Sequence, residues 1–295
     1  MVLGVVLGLG LSGVASCNLA SRPPAAKPSE SMANGPRSPE PVRYETRTFP
    51  AAIAHVISVP ANGAWQIRAA VAPTVETLDR WIQQTPGSIA AINGGFFDPD
   101  NQKTTAFVTH QGKLVADPRT NEQLVNNPAL TPYLRQIFDR SEWRRYQCGA
   151  TVRDAIVLHS TAIPAGCDLL EAIGGGPQLL PKLTIEPEGF WLQTAGQVIR
   201  DPIGVYRRNA RSAIGLAADG RVWLVMVQQR SSQGGMTLPE LAQFLQSLGA
   251  DRALNLDGGT SSAIYANGHL IYGKRDESDR PQGRPVKSVL LVQPR

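Results

Sequence analysis

Aromatic residues are scarce in this chain, at 6% of 295 positions, and cysteine occurs only three times. Basic stripes interleaved with aromatics are also missing. Both absences argue against a nucleic-acid groove, in which cations track a phosphate backbone and rings stack on bases. The same scarcity argues against a carbohydrate binder built from several exposed rings. No H-E-x-x-H helix, phosphate-binding P-loop or G-x-S-x-G elbow occurs, so the common signatures of zinc proteases, nucleotide hydrolases and serine esterases are absent. The four histidines, His55, His110, His159 and His269, lie in strands or beside turns without metal-ligand spacing. Structural or solvated roles suit them, and a Ser261–His–Asp arrangement has only weak support. No metal or cofactor is implied.

What is present begins with an apolar run at residues 2–16, too short to span a bilayer, which needs about 20 residues. It reads as the apolar region of a signal peptide, and Val14-Ala15-Ser16-Cys17 resembles a bacterial lipobox that would make Cys17 a lipidated first residue. No Lys or Arg precedes Ser21, which is atypical of such signals. Residues 21–42 hold six prolines and no aromatic residue. Such a segment buries too little apolar surface to order itself and is expected to be a tether. The expected organisation is a signal at 1–17, a Pro-rich linker at 18–42 and one folded domain at 43–295. In an exported chain, Cys148 and Cys167 suit a disulfide better than a metal site or two buried free thiols. The net charge of +5 suits an anionic substrate and an ordinary solvated surface alike.

Strand signals dominate from residue 43 onward. Gln111-Gly112, Asp219-Gly220 and Asn267-Gly268 each separate two apolar segments, and Asx-Gly pairs are strong hairpin signals. Residues 120–145 read as helical or irregular and carry Trp143. Thr237-Leu-Pro-Glu240 is a capping box ahead of a leucine face and a stop at Gly249, and Thr74 is a candidate cap for a shorter helix. Hairpins mixed with helix–strand units predict an α+β fold: a mixed β-sheet with a few helices, in a single domain after a disordered N-terminal tether.

The candidate site lies where two strands run into Asx-Gly-Gly. One is Ile89–Ile92 followed by Asn93-Gly94-Gly95-Phe96-Phe97-Asp98. The other is Arg252–Leu256 followed by Asp257-Gly258-Gly259-Thr260-Ser261-Ser262. Glycines there allow close backbone approach, and hydroxyls and freed N–H groups are donors for an anion or a sugar. A tight turn whose Asx side chains only bind neighbouring N–H groups is the plainer reading. If the two strands lie in one sheet and point the same way, both tips reach one edge, where ligands of such sheets sit.

NGGFFD at 93–98, GGGPQLL at 174–180, RSAIGLAADGRVWLVMV at 211–227 and GMTLPELAQFLQSLGADRALNLDGGTSSAIY at 235–265 resemble the phosphodiester glycosidase family. The resemblance covers roughly 85 to 292. It departs at Thr260, where the family usually has a third glycine, a difference that bears on substrate preference. The reaction it implies is cleavage of a sugar 1-phosphodiester at the anomeric carbon. Ordinary glycosidases use two carboxyl groups, one to protonate a poor leaving group. A phosphate ester leaves as a stable anion, so one carboxylate and a fixed cation suffice. Asp257 is the expected carboxylate, as nucleophile, base or stabiliser of the developing positive centre. Arg211 is the expected cation, because guanidinium binds phosphate oxygens bidentately. Asn93, the N–H groups of Gly94, Gly95, Gly258 and Gly259, and Thr260 and Ser261 are expected to orient phosphate or sugar hydroxyls. Gly175 and Gly176 would form a third wall. Phe97 and its neighbour Phe96 offer either a stacking face or core packing, and Asp98 is the second carboxylate candidate. The implied partner is a carbohydrate phosphodiester, met outside the cytoplasm by a chain attached to the membrane through Cys17. An anchored non-catalytic binder and a glycosidase of another surface polymer are the alternatives.

Overall fold

Strand Val222–Gln229 shows how this chain builds its layers. Its apolar residues are nearly continuous, because both of its faces are buried. Val222, Leu224 and Met226 point into one apolar cluster, while Trp223, Val225 and Val227 point into another. Successive strand side chains alternate faces, so such a strand must lie between two layers. In the computed structural model, which describes Gly4, residues 40–61 and residues 64–295, it is an inner strand of a six-stranded sheet. The sheet order is Arg43–Thr48, Ala52–Val59, Val222–Gln229, Arg211–Leu216, Arg252–Asn255, Gln178–Leu180. Helix Leu238–Ser247 covers the outer face with Leu238, Leu241 and Leu245.

The inner face meets a five-stranded sheet ordered His269–Tyr272, Ala263–Ala266, Ala90–Asn93, Val286–Pro294, Trp65–Glu76. Ile92, Ile264 and Leu290 pack there against Ile214, Leu224 and Leu254. The outer face of this sheet is closed by helix Leu78–Gln84 through Leu78 and Trp81. The result is a helix–sheet–sheet–helix stack, with the core between the sheets. A third sheet, ordered Lys113–Ala116, Val108–His110, Cys167–Gly174, Ser141–Cys148, Thr151–Leu158, adds Val108, Trp143 and Ile173 to that core. Cys148 and Cys167 face each other across two of its strands and form a disulfide, with Cα atoms 4.1 Å apart.

The α+β class, the hairpins and the few helices agree with the sequence. Gln111-Gly112 and Asn267-Gly268 turn with both residues at positive φ, the two-residue geometry that matches strand twist. The capping box is formed in both directions between Thr237 and Glu240. Three details differ. Every strand pair among the described residues is antiparallel rather than mixed. The shorter helix starts after Thr77 rather than Thr74, because the preceding strand stays paired as far as Glu76. Trp143 lies on strand Ser141–Cys148, which follows only short helical turns. The charges of Glu142, Arg144 and Arg145 disguised that strand, and all three are buried and paired. Apart from Gly4 and residues 40–42, the expected signal at 1–17 and linker at 18–42 lie outside the described residues, as does Cys17. Among the described residues no helix is long and apolar enough to cross a membrane.

Candidate active site

The two Asx-Gly-Gly tips leave different sheets, yet they meet. The Asp257 N–H donates to the Gly94 carbonyl at 3.1 Å, and Asn93 Nδ2 donates to the Asp257 carbonyl at 2.7 Å. Asn93 Oδ1 accepts from Ser212 Oγ at 2.6 Å and from the Ala263 N–H at 3.1 Å. One buried amide therefore ties together the Asp257 loop and strands of both sheets. This saturates Asn93, so no atom of it is left to orient a substrate.

The glycines have a related fate. Gly94 and Gly95 donate to Ser288, through its carbonyl at 2.8 Å and its hydroxyl at 3.1 Å. Gly175 donates to Ser141 O and Gly176 to Asn255 O, at 3.0 and 2.8 Å. Gly258 donates to Asp257 Oδ1 at 2.8 Å and Gly259 to Ala210 O at 3.0 Å. The four N–H groups expected to orient phosphate or sugar hydroxyls, and those of the two expected wall glycines, are spent inside the protein. Four of these glycines are needed for packing instead. A Cβ on Gly95 would lie 2.2 Å from Gly174 O, and one on Gly175 would lie 2.5 Å from Asn255 O. The left-handed turn of the second tip falls at Gly259, φ +62°, so Thr260 bears its Cβ without strain.

Beside the second tip opens a cleft of about 720 Å³. Asp257, Gly258 and Gly259 line it, with Asn209, Asn255, Phe96 and Phe97. Its cations are Arg140, Arg200, Arg207, Arg208, Arg211 and Lys274, and Asp257 is the one carboxylate residue in its wall. Burial pushes the Asp257 carboxyl up to about 6, although the Ser261 hydroxyl, the Arg284 charge and the Gly258 N–H all pull it down. Its Oδ2 is buried without a hydrogen-bond partner, 3.8 Å from the Arg284 guanidinium. Arg284 Nε donates to Ser261 Oγ at 2.9 Å, and its guanidinium lies 4.9 Å from the centre of the Phe97 ring. Ser261 and Phe97 thus position Arg284, and Arg284 faces the carboxylate. Phe97 also packs with Leu78 and Trp81, so core packing is its main role.

Arg211 does not have the geometry expected of a phosphate ligand. Its guanidinium donates to the carbonyls of Met236, Ile203, Gly204 and Arg207 at 2.6–3.0 Å. The side chain is 2% exposed, and burial lowers its pKa to about 10. Four donors spent on backbone leave no bidentate fork, so Arg211 holds the 203–207 loop that forms one wall. Asp98 does not line the cleft; its Oδ1 accepts from the Asp100 N–H at 2.9 Å, which is the plain turn. His110 and His159 pair with Glu171 and Glu142 away from Asp257. Sequence reasoning missed Arg284 and Lys274, which fall in what reads as a charged loop. It also missed Arg207-Arg208-Asn209, although that basic run stands just before Arg211. Nothing local marks Arg140 or Arg200. Among the described residues no group of three His, Cys, Asp or Glu side chains is arranged to hold a metal.

A buried carboxylate just past strand Arg252–Asn255 thus stands in the wall of a cleft whose other charged residues are cations. Residues 86–293 match the family model described as phosphodiester glycosidase, and the chain belongs to that family. Over 84 residues it is 37% identical to N-acetylglucosamine-1-phosphodiester alpha-N-acetylglucosaminidase of Mus musculus and 39% identical to that of Bos taurus. Those segments cover 28% of this chain and only 16% of either relative. The fold is similar to the catalytic domain of the zebrafish N-acetylglucosamine-1-phosphodiester alpha-N-acetylglucosaminidase, described as auto-inhibited by its pro-peptide. The TM-score is 0.63 at 20% identity, covering 90% of this chain and 87% of that one. A hypothetical protein from Synechocystis gives a TM-score of 0.55 at 18% identity over 86% of this chain and 61% of its own.

Proposed function

We propose that this chain hydrolyses sugar 1-phosphodiesters at the anomeric bond outside the cytoplasm, releasing free sugar and a phosphate monoester. The observation that carries the reading is the pairing of one buried carboxylate, Asp257, with a cleft whose other charged residues are five arginines and a lysine. Arg207, Arg208 and Lys274 attract the phosphodiester anion, and Asp257 meets the sugar carbon on which positive charge develops. Above about pH 6 Asp257 is ionised. It then takes a proton from the attacking water and stabilises the oxocarbenium-like centre. The C–O bond to phosphate breaks as the C–O bond to water forms, and the electron pair leaves with the phosphate oxygen. That leaving group is a stable anion, so no second carboxyl acid is needed. Arg284, at 3.8 Å, keeps part of the Asp257 population charged despite its burial.

A disulfide between Cys148 and Cys167 supports an oxidising compartment. The Val14-Ala15-Ser16-Cys17 run extends the proposal to a lipid anchor, and a Cys17→Ala chain should then fractionate as a soluble protein. The decisive experiment offers a panel of sugar 1-phosphodiesters to the purified protein and measures free sugar. Cleavage of at least one member, abolished in Asp257→Asn, is the expected result. Tight binding without cleavage of any member would replace the hydrolase by an anchored binder.

A further inference from the structure

Two cations in the cleft wall share an arrangement that none of the others has. Arg140 Nε donates to the Glu188 carbonyl at 3.2 Å, and its guanidinium lies 3.8 Å from the centre of the Phe190 ring and 5.9 Å from that of Phe96. Arg200 Nε donates to the next carbonyl, Gly189 O, at 2.7 Å, and its guanidinium lies 4.3 Å from the Tyr133 ring. Each group is thus fixed at its Nε and supported by an aromatic face. Neither makes a terminal-nitrogen hydrogen bond or an ion pair with any described residue. The carboxylate closest in sequence to both anchors, Glu188, is already engaged by Ser141 N and Oγ, by the Gln178 N–H and by the Thr184 hydroxyl. Burial lowers both guanidinium pKa values, Arg140 to about 9; the Glu188 charge opposes the lowering at Arg140, and the charge of Arg200 adds to it. Both arginines line the 720 Å³ cleft, and Arg200 also borders a smaller pocket with Tyr133 and Gly189. Two like charges anchored on consecutive carbonyls, with terminal nitrogens that no described residue engages, favour an anion with several oxygens.

We propose that Arg140 and Arg200 form a two-guanidinium clamp that grips the phosphoryl oxygens of the substrate, the role for which Arg211 has no free fork. The clamp rests on the hydrolase reading for the identity of its ligand. Its anion affinity can be tested apart from turnover. Calorimetry of the full chain with inorganic phosphate at low salt is the direct measurement. Arg140→Ala and Arg200→Ala should each weaken phosphate binding by roughly 10- to 150-fold, which is about 1.5–3 kcal/mol at 1.4 kcal/mol per tenfold. Arg140→Lys should not restore it, because one ammonium cannot bond the Glu188 carbonyl and present a planar fork. Exposed Arg135→Ala, outside the cleft, is the control for general charge loss. Should Arg140→Ala fail to fold, Arg200→Gln at a strand end carries the test. Unchanged phosphate affinity in both clamp variants, or an equal loss in Arg135→Ala, overturns the clamp. Acetate competing as well as phosphate overturns the phosphoryl assignment. Cleavage of a sugar 1-phosphodiester with KM indifferent to both clamp variants also sinks the clamp while leaving the hydrolase standing. Clamp-dependent phosphate binding without any cleavage does the reverse.

Discussion

Asn93-Gly94-Gly95 and Asp257-Gly258-Gly259 are nearly the same text at the ends of two buried strands, and the fold uses them in opposite ways. At the first tip the Asn93 amide and the N–H groups of Gly94 and Gly95 all find protein partners, and the glycines are crowded against Ser288 and Gly174. At the second tip the carboxylate keeps one oxygen unpartnered, and the two glycines border a cleft. The first is a bolt, and the second, in the proposed hydrolysis, is the working tip. A pair of glycines after a strand marks a place where backbone comes close to something. Whether that something is another strand or a ligand depends on what the opposite layer supplies.

The largest expected effect tests the working tip. Asp257→Asn keeps the Gly258 contact but removes the charge, and kcat should fall about 10³-fold with a smaller change in KM. Steady-state kinetics on a cleaved sugar 1-phosphodiester decides this, and near wild-type turnover would remove Asp257 from the chemistry. Next comes the bolt. Asn93→Ala strands the Asp257 carbonyl, the Ser212 hydroxyl and the Ala263 N–H, and should cost about 2–4 kcal/mol in denaturant unfolding. The glycines sharpen the contrast directly. Gly95→Ala should destabilise by about 3 kcal/mol, whereas Gly258→Ala should cost about 1 kcal/mol or less. The difference lies in the clearance of the added Cβ, 2.2 Å from Gly174 O against 3.2 Å from Ala210 O. Equal losses at the two positions would erase the distinction.

The pH dependence follows from the raised carboxyl. Ionisation of Asp257 near pH 6 makes kcat/KM rise as pH rises through about 6. Stability runs the other way. Between the ordinary carboxylate value of 3.8 and about 6, the folded chain keeps a proton that the unfolded chain has released. Raising pH through that window therefore costs the folded state, and above it the penalty is constant at roughly 1–3 kcal/mol. Asp257→Asn should unfold at a higher temperature than wild type at pH 7.5 and show little advantage at pH 4. The smallest effect on turnover is expected at the disulfide. Reducing Cys148–Cys167 should cost about 3 kcal/mol of stability. It should leave kcat within about twofold, because neither cysteine lines the cleft. A large loss of turnover in a still-folded reduced protein would mean that the third sheet positions the site.

The sequence by itself determined the hairpins, the capped helix Leu238–Ser247, the buried strands and the two Asx-Gly-Gly tips. Those features depend on side-chain alternation, positive-φ turns and local hydrogen bonds, all of which act within about ten residues. It singled out Asp257 as the one group of the 255–262 cluster able to hold a negative charge, and the family resemblance made it the expected carboxylate. It could not tell Asn93 from a ligand, since the partners that saturate the amide, Ser212 and Ala263, are more than a hundred residues away. It took Arg211 for a free cation because the carbonyls that absorb its donors come from a loop with no regular structure. It passed over Arg140 and Arg200, whose meaning rests on Glu188, Gly189 and the rings of Phe190 and Tyr133. Only the tertiary structure decided which polar groups remained unpaired. Hydrogen-bond saturation is a property of what packs opposite a residue, and in this fold those groups come from other sheets and from distant loops.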